Sequence, residues 1–312
     1  MSTSNVRNEA RRVRVDSDHH GQRLDNFLAS LLKGVPKAAV YRMIRTGQVR
    51  INGGRAKPAS RLETGDEVRI PPARTRDPQE TPVSERVRQQ LREAILYEDR
   101  DLLVVNKPAG MAVHAGSGLP WGVIDALRQD RPGEFLELAH RLDRETSGCL
   151  VLARNGQALN HLAEQFRDGT VRKYYLCLLD GRLPQDLVEV DAPLSKTDSE
   201  ARGPVNVSED GKQARTRFRL LQRFRDCSYA EAELLTGRTH QIRAHARHLG
   251  LPLAGDAKYS DREAVKRWKG RGLGRLFLHA HRLGLQAPNG EHFEFDAPLP
   301  DSLREVLDRL ER

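Results

Sequence analysis

HRLDRETSG, residues 140–148, is the stretch from which the rest of the chain can be read. Its centre is one carboxylate, Asp143, flanked by Arg141 and Arg144, with His140 before it and Thr146, Ser147 and Gly148 after it. Nearby positive charge favours the ionised form of a carboxylate. An ionised aspartate with no second acid beside it suits a nucleophile or a base better than a proton donor. A surface ion pair closing a turn would use the same residue types. The apolar runs on either side, FLELA (135–139) and CLVLA (149–153), weigh against that reading. They put the segment on a loop between buried strands, where catalytic residues concentrate.

The motif resembles the active-site motif of the RluA-type pseudouridine synthases, and residues 17–312 resemble the RluC branch of that family. The resemblance places the family's catalytic aspartate at Asp143. It implies an α+β fold, with a small RNA-binding module ahead of a mixed, largely antiparallel sheet. It also implies an activity: isomerisation of specific uridines to pseudouridine in large-subunit ribosomal RNA, with the base flipped into the site and no cofactor.

Composition agrees with a polyanionic partner. Lys plus Arg is 52 and Asp plus Glu is 43, a net charge of +9 (52 − 43), which bears on association and not on fold. At 312 residues two domains are expected. Three cysteines, Cys149, Cys177 and Cys227, with no C-x-x-C, argue against a disulfide framework and for a reducing compartment. There is no secretory signal and no apolar run near the ~20 residues that span a bilayer. A cytoplasmic chain is expected, with monomer as the default.

Residues 1–16 read as a flexible basic tail and residues 17–72 as a compact module. Leu24, Phe27, Leu28 and Leu31 predict one helix. Pro36 opens a second with Val40, Met43 and Ile44 inside, and Gly47 stops it. Short strands follow at 49–51 and 67–70. Between Lys33 and Arg61 the module carries eight basic residues and no acidic one. Lys37, Arg42, Arg45, Arg50, Arg55 and Lys57 are the candidate phosphate contacts, which position a protein on RNA without reading sequence. RLDNFL, IRTGQVRING and LETGDEV resemble the RNA-binding module first described in ribosomal protein S-four. Residues 73–93, with Pro78 and Pro82 among charges, read as a semi-rigid, exposed linker with a helical turn after Pro82, which would let the module move and add avidity.

Residues 94–312 read as the catalytic domain. AILYE and LLVVNKP predict strands, WGVIDALR a short helix, and NGQALNHLAEQFRDG a helix capped by Asn155 and ended by Gly169. The glycine-rich VNKPAGMAVHAGSG fits neither a P-loop nor a dinucleotide fingerprint; NKPAGMAVH resembles a family loop beside the active site. In VRKYYLCLL, Lys173, Tyr175, Cys177 and Leu179 share one strand face. Family members carry K-x-Y here, which implies that Tyr175 stacks on the target base. Thr239 is expected to cap a helix over 240–249. TGRTHQIRAHARHLG resembles the family's G-R-T-H-Q-[IL]-R-x-H motif, which implies that Arg243 contacts the catalytic aspartate and the substrate. Arg141 resembles the arginine that fills the vacated stack. In LPLAGDAKYSD, Ser260 stands where the family has glycine.

His240, His245 and His248 raise a zinc alternative. His240 and His245 are five apart, about 140° net around a helix, so they do not share a face, and no acid lies between them. No metal is expected. One carboxylate suffices for the implied reaction. It can act as a covalent nucleophile, or stabilise an oxocarbenium or glycal intermediate and move a proton. Two alternatives stand beside it: a non-catalytic RNA-binding or assembly factor, and a cofactor-using RNA enzyme such as a methyltransferase, for which no strand followed by a G-x-G-x-G loop is present.

Overall fold

The computed structural model describes residues 10–32, 34–73, 81–116, 119–196 and 203–311. In the small module, β1 (Arg11–Arg14), α1 (Leu24–Leu31), α2 (Lys37–Arg45), β2 (Arg50–Ile51), β3 (Gly54–Arg55) and β4 (Glu67–Ile70) form a sheet of order β1-β4-β2-β3 under two helices. Leu24, Phe27, Leu28, Val40, Ile44, Val68 and Ile70 make its core. Gly47 ends α2 with φ +74°, a conformation that favours glycine.

Two sequence expectations change here. Residues 11–14, assigned to a flexible tail, are an edge strand paired antiparallel with β4, from Arg11 opposite Ile70 to Arg14 opposite Glu67. Its three arginines hide it from any apolar pattern, and β4 supplies the open edge that orders it. Residues 1–9 and 74–80 lie outside the described residues. In the linker, α3 (Glu85–Glu93) is a full helix whose Leu91 is 0% exposed. Val83, Val87 and Leu91, four residues apart, put one stripe on the main core despite the charge around them.

The catalytic domain is one sheet with core on both faces. Its elements are β5 (Ile95–Glu98), β6 (Leu102–Lys107), α4 (Val123–Asp130), β7 (Glu137–Leu138), β8 (Ser147–Ala153), α5 (Gly156–Asp168), β9 (Arg172–Leu179), β10 (Leu187–Asp191), β11 (Leu194–Lys196), β12 (Val205–Val207), β13 (Arg215–Arg223), β14 (Ser228–Leu234), α6 (Gln241–His248), α7 (Arg262–Gly270), β15 (Leu278–Gln286), β16 (His292–Asp296) and α8 (Asp301–Leu310). The strands run β10-β13-β14-β9-β15-β8-β6-β5, with β16 on β15 and β7 on β8; β11 and β12 pair separately. Every pair in this sheet is antiparallel except β8 with β15, where Ser147 lies opposite His279 and Gly148 opposite Ala280. In β6 and β8, Leu103, Val105, Leu150 and Leu152 face one core, and Leu102, Val104, Cys149 and Val151 face the other, against α5. Burial on both faces explains why these strands read as continuous apolar runs. Asn155 caps α5 through a 2.8 Å bond from the Ala158 amide, and Gly169 ends it at φ +75°.

The small module is seated on this domain. The 3-10 turn Ser17–His19 packs on α5, and Asn160 Nδ2 donates to the His20 carbonyl at 2.6 Å. A Cβ on Gly156 would fall 1.7 Å from the Asp18 carbonyl oxygen, so only glycine admits the contact. Gly156→Val should lift the module from α5 and enlarge the radius of gyration in small-angle scattering; an unchanged radius contradicts this docking.

Three histidines, His245 and His279 buried and His140 half-buried, brace the frame. His279 bonds Ser147 Oγ at 2.9 Å and the Ala297 carbonyl at 3.1 Å, His140 Nε2 accepts the Val151 amide at 3.0 Å, and His245 Nε2 donates to the Ala192 carbonyl at 2.9 Å. Burial lowers the pKa of His279 to about 4 and of His140 to about 3, from an ordinary 6.5. Between pH 6.5 and 4 the unfolded chain therefore takes up protons that the folded chain refuses, and stability falls by about 1.4 kcal/mol per pH unit per histidine. Thermal melts should lose Tm across that window, with a shallower slope in His279→Gln. A Tm flat from pH 6.5 to 4.5 contradicts the neutral buried histidines.

Candidate active site

The loop between β7 and β8 carries Asp143, and three contacts shape it. The Thr146 amide donates to the Asp143 carbonyl at 3.1 Å, closing the turn. The Gly110 amide donates to the Arg144 carbonyl at 2.8 Å, and Arg144 Nε returns a bond to the Gly110 carbonyl at 2.9 Å. Lys107, 0% exposed, donates from Nζ to the carbonyls of Pro108 (2.9 Å), Met111 (2.8 Å) and Arg144 (3.2 Å). Burial pulls its pKa down to about 7, while three acceptors use all three N–H of the charged form. The segment resembling a family loop is thus tied by one lysine to the loop of Asp143. Where the loop enters β8, Gly148 has φ +115°, and a Cβ there would lie 2.2 Å from the Ala280 carbonyl oxygen.

Asp143 is half-buried and faces the start of α6. Arg243 Nη1 lies 3.6 Å and His240 Nε2 3.7 Å from its Oδ2. Arg243, 5% exposed, spends its other edge on Asp256: Nε to Oδ2 at 2.8 Å and Nη2 to Oδ1 at 2.7 Å. Two parallel bonds fix the guanidinium plane and aim Nη1 at Asp143. The guanidinium lies 5.0 Å from the centroid of the Tyr259 ring, whose hydroxyl is 3.0 Å from His240 Nδ1 and accepts from the Val205 amide at 2.8 Å. Burial lowers the His240 pKa to about 4, against a smaller opposing pull from Asp143. His240 is therefore neutral at pH 7 and leaves Arg243 as the charged partner.

The flanking arginines do not hold Asp143. Arg144 turns to Gly110 and lies 3.7 Å from Glu145. Arg141 is exposed and makes no hydrogen bond or ion pair among the described residues, but it lines the cavity over Asp143. Neighbours in a loop diverge, so the carboxylate pairs with a helix a hundred residues away. Nor does Thr239 cap α6. His240 takes the cap position in the left-handed region, at φ +55°, and Gln241 does the bonding. Its Oε1 accepts from the Arg238 amide at 3.0 Å and Thr236 Oγ1 at 2.7 Å, and its Nε2 donates to the Arg215 carbonyl at 2.8 Å. The strained residue sits against Asp143, as strain at functional sites does.

A cavity of about 320 Å³ opens over the aspartate, lined by Asp143, Arg141, Tyr175, Arg243, His140 and Lys173 among others. Tyr175, on the inner face of β9, is 9% exposed. Burial first, and then the Asp143 charge, raise its phenol pKa, so it stays protonated. A second cavity of about 510 Å³ shares Arg141, Asp143, His240 and Arg243 with the first and adds Arg144 and Arg275. Asp256, His240, Tyr259 and Lys107 were not assigned from sequence. The G-D-x-x-Y and N-K-P segments carried the signal, without a geometry to rank their residues.

The module's candidate cations face solvent. Lys37, Arg42, Arg45, Arg50, Arg55 and Lys57 are all exposed, and none pairs with a carboxylate among the described residues. Arg50 reaches the Gly47 and Gly53 carbonyls, at 3.3 and 3.0 Å, and Lys37 lies over the Tyr41 ring at 5.6 Å. Lys33 lies outside the described residues. The histidines considered as zinc ligands diverge: His240 turns to Asp143 and Tyr259, while His245 turns to Thr216 and Ala192.

Comparison with known proteins places this geometry. The family model described as RNA pseudouridylate synthase matches residues 101–248, and that of the S4 domain matches residues 22–68. A curated relative from Haemophilus influenzae, named ribosomal large subunit pseudouridine synthase C, is 44% identical over 98% of this chain and 96% of its own length. One of the same name from Yersinia pestis is 47% identical over 95% and 94%. The solved structure of human RNA pseudouridylate synthase domain containing 1 superposes with TM-score 0.61 at 29% identity, covering 72% of this chain and 89% of its own. With such identity along nearly its whole length, the chain belongs to the RNA pseudouridylate synthase family.

Proposed function

We propose that this chain isomerises specific uridines of large-subunit ribosomal RNA to pseudouridine, with Asp143 as its one catalytic carboxylate. The observation that carries the reading is a solitary half-buried carboxylate in a cavity, held by an arginine whose other edge is locked on a buried aspartate. The relatives' shared name supports the large-subunit RNA as substrate. The reaction breaks the bond between ribose and uracil nitrogen and rejoins ribose to uracil carbon-5. It exchanges one bond for another with no net oxidation, so side chains can carry it.

Each residue has a task within that reaction. A uridine in a stem must leave its stack before any side chain reaches it. Arg141, exposed beside Asp143, fills the gap the base leaves. Tyr175 stacks on the extruded uracil, and its buried phenol stays neutral. Arg243 holds Asp143 in line with the ribose and base. The six cations of the small module hold phosphates at a distance from the chemistry. The protein works as a monomer in the cytoplasm, where ribosomal RNA is; no helix among the described residues is long and apolar enough to cross a membrane.

Release of tritium from carbon-5-labelled uridine in large-subunit RNA transcripts tests the reading. Wild type should release tritium and Asp143→Asn, which keeps shape and loses charge, should release none. Release by Asp143→Asn at the wild-type rate, or none by wild type on any large-subunit transcript, contradicts it. Arg243→Lys, which cannot make the paired bonds to Asp256, should lower kcat by about 10²–10³-fold, the cost of losing one aligned charged donor. Replacing Lys37, Arg42 and Arg45 together by Ala should weaken RNA binding and reduce the slope of log K against log salt by about 3, with kcat retained. A salt slope equal to wild type removes this face from the RNA contact.

A further inference from the structure

Lys173 lies two residues before Tyr175 on the same face of β9 and lines the same cavity. It is 8% exposed. Among the described residues its ammonium has no hydrogen-bond acceptor and no carboxylate partner. A Cβ on Gly237 would lie 3.9 Å from Nζ, so the ammonium rests beside a backbone stretch with no side chain to answer it. His140 lines the same cavity, and its pKa is lowered by burial and then by the Lys173 charge. A neutral imidazole offers no counter-charge. Burial alone acts on Lys173, pushing its pKa down.

The stem of Lys173 is buried but its ammonium tip keeps contact with the cavity, as Nζ is not one of the enclosed polar atoms left without a partner, and a cation so placed has no protein counter-charge beside it. Lys107 shows how this chain satisfies such a group when its task is structural: three carbonyls meet it. Lys173 has none among the described residues and faces the cavity shared with Asp143 and Tyr175, where a substrate displaces the solvent that meets it. RNA offers phosphates and base oxygens. The phosphates continue along the strand on both sides of an extruded nucleotide and stay at the mouth of the site. The base is the part that reaches the bottom. Two residues along a strand span about 7 Å, which sets Nζ within reach of the edge of a ring stacked on Tyr175.

We propose that Lys173 hydrogen-bonds a carbonyl oxygen of the extruded uracil and stabilises the negative charge that the ring carries during isomerisation. The inference rests on the isomerisation proposed above. When the bond between the anomeric carbon and N1 breaks, its electron pair stays on uracil and spreads over N1 and the two carbonyl oxygens. The ring turns, carbon-5 bonds the anomeric carbon, the carbon-5 proton leaves to water, and N1 takes up a proton. No oxidant or reductant enters. If Asp143 adds to the base first, the ring again becomes an enolate, so the need for a cation is the same for either point of attack. Lys173 is then a catalytic residue, in contact with the reacting base.

The test is tritium release and RNA binding measured together on Lys173→Met, with Lys173→Gln as a second uncharged variant should the first not fold, and thermal melts as the check on folding. Expected is a kcat about 10²–10³-fold below wild type, as for a donor aimed at developing charge. Binding to large-subunit RNA and its salt slope should match wild type, and Lys173→Arg should recover part of kcat. Weaker binding with a salt slope reduced by about 1 and kcat retained would make Lys173 a phosphate contact and overturn the proposal. An unchanged kcat overturns it as well. An inactive wild type in the same assay would sink the isomerisation and Lys173 with it; an active wild type beside an active Lys173→Met sinks Lys173 alone.

Discussion

The site depends on one guanidinium. Arg243 is almost wholly buried, lies on α6, and is shared between two carboxylates, bidentate to Asp256 and at 3.6 Å from Asp143. A buried charge that loses its partner costs about 3–5 kcal/mol, so Asp256 is as much a part of the arrangement as Arg243. The surrounding features follow from holding that pair. The left-handed His240 starts α6 at the required angle. Gln241, 2% exposed, bonds the turn before it and anchors it to β13. Gly255, whose added Cβ would lie 2.2 Å from the Arg275 carbonyl oxygen, lets the chain turn tightly beside Asp256. Tyr259 closes the far side of the guanidinium.

Asp143 is delivered to that guanidinium by the sheet. β8 and β15 run parallel only where the catalytic loop enters β8. There Gly148 admits the Ala280 carbonyl, and His279 with Arg275 Nη2 binds Ser147 Oγ, at 2.9 and 2.8 Å. Lys107 ties the loop from its other side. The loop is therefore held by buried donors at both ends, while Arg141 stays exposed at the cavity.

Much of this was legible in the sequence, and the failures share a cause. Asp143, Tyr175 and Arg243 could be named because their motifs are local and their partners are implied by resemblance; the structure brings all three to one cavity. The strands LLVV and CLVLA could be read because burial on both faces leaves no polar position. What could not be read was which neighbour a charge would choose. Arg141 and Arg144 sit beside Asp143 in sequence and form no ion pair with it among the described residues, whereas Arg243 is a hundred residues away and meets it. The strand at Arg11–Arg14 was missed, and the helix at Glu85–Glu93 was read as no more than a turn after Pro82, because arginine and glutamate dominate their composition, and tertiary contacts supply the order that composition conceals. Lys173 reads as one of four residues on a strand face, and only the structure shows that it meets no carboxylate among the described residues.

The central claim is that Arg243 and Asp256 act on Asp143 as one unit. A double-mutant cycle on kcat for uridine isomerisation tests it most directly, with Arg243→Lys, Asp256→Asn and the two combined. If the pair is one device, the double variant is no slower than the slower single variant, because the second change removes an interaction already lost. Losses that multiply, so that the double variant is slower by the product of the two single effects, would mean that Asp256 and Arg243 serve catalysis separately, and would contradict the account.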